Sequence, residues 1–198
     1  CVYRAMGGHA SVKDKVLEDV EFAHALRRAG YVLGLAFGLA HLRARMFGYA
    51  NELCGEHGFG WSRRLMMINR MLPRDGDPLR GEGPMQLLGR RHGYSRDAAA
   101  KAPARVAAIL SVLSAVLGDQ YAAGRPFFVG DRLSALDIYW AAFAALVEPL
   151  PSALCPTPDY IRPLYVLDDP ELRSAAAPLL LEHRDRIYRE HLELPVRL

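Results

Sequence analysis

The chain has 198 residues, 51% of them apolar, and a formal charge of +3 from 25 Lys and Arg against 22 Asp and Glu. That composition supports a globular core and excludes a disordered chain, and the weak, dispersed positive charge excludes the dense basic face that nucleic acid requires. Cys1, Cys54 and Cys155 stand at neither zinc-ligand nor disulfide-framework spacing, so neither metal nor crosslinked scaffold is expected, and the reducing cytoplasm is the expected compartment.

The chain opens on Cys1 rather than Met, which is read as a fragment or a processed product, and Gly7-Gly8-His9-Ala10 forms a flexible lead-in. From Ser11 to Ala29, Val12, Val16, Leu17, Val20, Ala23 and Leu26 keep helical spacing, and Gly30 stands where a C-cap belongs. Tyr31 to Phe37 reads as a short strand or an apolar linker. The apolar run from Tyr31 to Ala40 is broken by glycines and short of the ~20 residues a spanning helix needs, so no membrane span is expected.

Helical spacing returns from His41 to Leu53 through Leu42, Met46, Tyr49 and Leu53, and again from Trp61 to Leu72 after the glycine-rich Gly55–Gly60 break. A Pro/Gly-rich loop fills 73–83, Pro84 starts a short helix, and Gly93 ends it. Ser95 caps a long helix to about Ala123 with the stripe Val106, Ile109, Leu110, Leu113 and Leu117. Pro103 inside it predicts a kink or a break.

Phe127-Phe128-Val129-Gly130-Asp131 is a short aromatic approach, and Ser134-x-x-Asp137 then opens a run whose Leu136, Tyr139, Trp140 and Phe143 share one helical face. The Ser hydroxyl can cap the N–H three residues on while the Asp carboxylate takes the Ser N–H, so Ser134 and Asp137 are read as a structural cap on a core helix. Beyond it, Pro149, Pro151, Pro156 and Pro158 enforce an extended linker. Short helices are expected from Asp169-Pro170 and from Pro178, the last with Leu179, Leu180, His183, Ile187 and His191 on one side.

The string F-V-G-D-x-L-S-x-x-D-I ahead of an aromatic helix resembles the C-terminal, all-helical domain of glutathione transferases. The resemblance runs from about Met46 to the C-terminus and takes in Gly58–Leu65, Pro149-Leu150-Pro151 and His183-Arg184-Asp185. It implies a mainly α protein: 46–198 as the helical bundle, 1–45 as a helix–strand appendage. It further implies glutathione as a substrate, a hydrophobic electrophile as the second substrate, and a possible homodimer. In that family the groups that hold the reactive thiolate sit on a thioredoxin-like domain, and residues 1–45 carry no cis-Pro signature and no Ser, Cys or Tyr at an activating position. The catalytic residues are therefore left unassigned and the chain is expected to conjugate little alone.

Tyr49, Trp61 and Arg64 then offer a pocket wall of aromatic surface with a cationic fork able to grip a carboxylate. The competing reading makes Tyr49 and Trp61 ordinary core aromatics and Arg63-Arg64 a surface pair. A non-catalytic helical interaction module is the alternative function.

A second resemblance covers the first quarter. Gly7–Ala10, Leu17-Glu18-Asp19-Val20, Arg27–Tyr31 and Arg43-Ala44-Arg45-Met46 resemble the later catalytic part of family-2 glycosyltransferases, which implies Asp19 as general base of a fragment. The downstream basic motif departs from that pattern in spacing and lacks its Trp. Glu18-Asp19 also fits a solvated helix face. His183-Arg184-Asp185 repeats kinase letters without the companion motifs and reads as helix, and Cys54 reads as a buried thiol or, near Arg45 and His57, a low-pKa one. Arginine far outnumbers lysine, read as composition bias ahead of anion binding.

Overall fold

The computed structural model describes residues 40–196; the helix expected over 11–29 and the strand over 31–37 lie outside them. In chain order come α1 (Ala40–Cys54), α2 (Phe59–Met71), α3 (Pro84–Arg91), α4 (Arg96–Ala122) and α5 (Ala135–Phe143), which runs on as a 3-10 turn over Ala144–Leu146. Then follow α6 (Arg162–Tyr165), α7 (Pro170–Ala175) and α8 (Pro178–His191), with no strand among the described residues. The fold is mainly α, an all-helical bundle.

α4 is the spine. The Ser95 hydroxyl accepts the Ala98 N–H at 3.0 Å, which satisfies one orphan donor of the first turn. Val106, Ile109, Leu110, Leu113 and Leu117 are all buried on one face, each contributing about 1.5–3 kcal/mol by leaving water. They meet Leu53 of α1, Phe59 of α2, Leu136 and Trp140 of α5 and Leu180 of α8 in one core. By length and composition α4 could cross a membrane; the stripe just named lies in this core. Of the kink or break expected at Pro103, the break does not occur, since the helix continues through it. Ala99 and Ala102 on the turn before it are buried in a second core with Leu65, Ile68, Leu72 and Tyr94, and that packing holds the turn together where a hydrogen bond is missing.

α1 and α2 are separated by a tight turn rather than a loop. A Cβ at Gly58 would stand 2.6 Å from the Glu52 carbonyl oxygen, and His57 takes a left-handed φ of 59°. Arg105 of α4 fixes the turn by donating to the His57 carbonyl at 3.1 Å while pairing with the Glu52 carboxylate. α1 packs chiefly against α5, α2 against α4. Residues 45 and 46 both lie within α1, so that boundary falls inside a helix.

Candidate functional site

Trp61 and Arg64 are three residues apart on α2 and so are neighbours on its surface. Trp61 is half-buried against the second core, while Tyr49, on α1, is half-buried against the first. The structure thus places Tyr49 and Trp61 against different cores. Arg64 lies over the Phe143 ring of α5, 5.7 Å from its centroid, and has no carboxylate partner among the described residues. Its neighbour Arg63 is not the surface residue that the adjacent pair suggested: it is buried, donating through Nε to the Leu146 carbonyl at 2.8 Å and through Nη2 to those of Tyr165 and Val166. Burial, with Arg70 nearby, lowers its guanidinium to about 10, which leaves it charged at neutral pH.

His92, unremarked in the sequence, joins Trp61 and Arg64. It forms the C-cap of α3, and Gly93 behind it has a φ of 57° that suits a helix end. The ring is almost wholly buried, tilted on the Trp61 ring with centroids 4.9 Å apart, and the His57 ring meets Trp61 in an edge-on arrangement at 6.0 Å. Nδ1 faces the Leu88 carbonyl at 3.0 Å and, since a carbonyl only accepts, carries the proton. Burial holds the imidazole below its ordinary value; the Leu88 bond opposes this, and the Arg64 and Arg91 charges add to it. The neutral ring therefore keeps an Nε2 lone pair that meets no donor among the described residues. The only clue in the sequence is position: His92 immediately precedes a C-cap glycine.

Ser134 and Asp137 form the expected capping box at the start of α5. Asp137 does more than cap. Its fully buried carboxylate accepts from the Ser134 N–H at 2.8 Å and the Ser134 hydroxyl at 2.6 Å on one oxygen, and from the Phe128 N–H and His183 Nε2 on the other. It lies inside the bundle as a structural anchor. The His183-Arg184-Asp185 triplet is helical, on α8. Cys54 is exposed at the end of α1, against the expected burial, because the helix turns its Leu53 face to the core instead. Asp19 lies outside the described residues. Among the described residues no group of three or more His, Cys, Asp or Glu could hold a metal ion.

The described residues form an all-helical bundle with a buried cap at the start of α5. Residues 77–161 match the family model described as the C-terminal domain of glutathione S-transferase, which takes in α3, α4, α5 and the proline-rich linker. The match is narrower than the resemblance drawn from Met46 onward: the Gly58–Leu65 segment and His183-Arg184-Asp185 fall outside it. No curated protein and no solved structure matches the chain.

Proposed function

We propose that this chain is a glutathione-transferase-like protein whose helical unit, taken as 46–198, supplies the wall for a hydrophobic electrophile, with Trp61, Arg64 and Tyr49 as its substrate-binding side chains. The observation that carries the reading is the family match over 77–161, which contains the Ser134/Asp137 box. Conjugation of this kind needs a glutathione thiolate whose sulfur forms a bond to an electrophilic carbon as the leaving group departs with its electron pair, and a donor that holds the thiolate. The thiolate donor is assigned to a thioredoxin-like partner domain. Arg64, a cation over Phe143 without a carboxylate partner among the described residues, is suited to an anionic group on the bound ligand. The protein is placed in the cytoplasm and as a homodimer on the same reading.

The test is glutathione calorimetry on this chain and on the same chain extended upstream along its reading frame, followed by conjugation of an aryl halide. Binding by the extended chain alone is the expected result. Binding by neither removes the glutathione reading and favours an interaction module, which oligomerisation without ligand would support.

A further inference from the structure

His92 offers an acceptor that nothing among the described residues uses, and its setting is rigid. Gly89, one turn before it, is pressed so closely on Leu79 that an added Cβ would stand 2.6 Å from Leu79 Cδ2 and 3.6 Å from Ile68 of α2. Tyr94, just after it, is buried and donates from its hydroxyl to the Asn69 amide oxygen at 2.7 Å. The ring is thus held from both sides against α2, with the Trp61 ring beside it at a 50° tilt and Arg64 one turn along the same helix.

Each neighbour sets a requirement. The Nε2 lone pair needs a donor. A guanidinium only donates, so Arg64 needs an acceptor. The indole face favours a flat apolar body. A carboxylate meets the second and third requirements but carries no proton at neutral pH, and an ammonium meets only the first. A hydroxyl is donor and acceptor at once, and an aromatic hydroxyl, with a pKa of about 10 like that of Tyr, keeps its proton at pH 7. We propose that Trp61, His92 and Arg64 bind a phenol, its ring on the indole, its O–H donated to Nε2 of His92 and its oxygen accepting from Arg64. No bond is made or broken. The inference names the ligand class of the wall proposed above and rests on that reading only in sharing Trp61 and Arg64; binding requires no glutathione.

Equilibrium dialysis of the 198-residue chain against 2-naphthol and against 2-methoxynaphthalene, without glutathione, separates the hydroxyl from the ring they share. Expected is a preference of tenfold or more for 2-naphthol. In His92→Asn, whose amide keeps a donor for the Leu88 carbonyl and removes Nε2, that preference falls to near unity while the ether binds as before. Arg64→Gln, which leaves the imidazole in place, reduces 2-naphthol binding several-fold and supplies the readout should His92→Asn fail to fold. Equal binding of the two ligands by the parent chain overturns the proposal, as does an unchanged preference in folded variants. Either failure leaves the glutathione reading untouched, because that stands on calorimetry with the extended chain; phenol binding without glutathione binding by either chain removes that reading and keeps this site.

Discussion

His183 on α8 donates from Nε2 to Oδ1 of Asp137 on α5 at 2.9 Å, with both side chains fully buried. The other ring nitrogen faces the Tyr121 hydroxyl at 3.3 Å and Arg186 Nη2 at 3.2 Å. Since Arg186 can only donate, Nδ1 accepts, and the neutral Nε2–H tautomer is the one that fits. The cap of one helix is in this way also the tether of another. Asp137→Ala leaves the Ser134 and Phe128 N–H groups and the His183 Nε2–H unpaired, and should cost about 3–5 kcal/mol. His183→Leu should cost about 2–3 kcal/mol, and a denaturation double-mutant cycle should return a coupling of about 1–3 kcal/mol. Additive losses would mean that the tether contributes nothing beyond its parts.

The arginine excess also has a structural use. The carbonyls of residues 146 to 150, where α5 runs out, all accept from arginines: Leu146 from Arg63, Val147 from Arg173, Glu148 from Arg184, and Pro149 and Leu150 from Arg162. A prolyl linker has no helix or sheet partner for such oxygens, and the guanidinium fork can reach several from one buried stem. Arg63→Ala should cost about 2–4 kcal/mol in chemical denaturation, since at least one fully buried carbonyl loses its donor. Arg63→Lys should recover less than half of that loss, because an ammonium cannot span the Leu146 and Tyr165 carbonyls as the fork does. Full rescue by Lys would show that charge alone is required.

What the sequence disclosed follows from range. Helix periodicity, Ser95, the proline starts at Pro84, Pro170 and Pro178, and the Ser134/Asp137 box are written within a few residues, and each stands in the structure where spacing put it. Contacts between distant segments leave no such trace. His183 shows in the sequence as one more residue on a buried stripe, and its partner is 46 positions away. Arg63 and Arg64 read alike as a charged pair, yet the turn of α2 sends one into the core and the other over Phe143. His92 becomes a candidate only when α3 sets it against Trp61.

Gly60 is required by packing, not by backbone conformation. A Cβ there would stand 2.1 Å from Cε1 of Phe143 and 3.1 Å from Arg64 Nη1. The aromatic ring cannot yield without moving α5, so Gly60→Ala should destabilise by about 1–3 kcal/mol in spite of Ala's better helix propensity. Phe143→Leu, which removes the ring edge, should restore much of the loss in the double variant. It should also release Arg64 from its aromatic seat. Thermal melts of the four proteins check this; a stabilised Gly60→Ala would show that α2 and α5 are less tightly seated than they stand here.

His92 gives stability a pH dependence whose direction is fixed. Its native pKa lies below that of the unfolded chain, which is about 6.5. Above that value both states are neutral and the residue contributes no difference. As pH falls through about 6.5 the unfolded chain takes up a proton that the native ring refuses, so native stability declines, and the loss is complete once pH has passed the lowered native value. In His92→Asn the difference between stabilities at pH 7.5 and 5 should shrink relative to the parent. Paired urea titrations at the two pH values measure it. An unchanged difference would mean that the buried imidazole protonates as readily as an exposed one, and Nε2 would then be a donor in acid, not the acceptor the geometry presents.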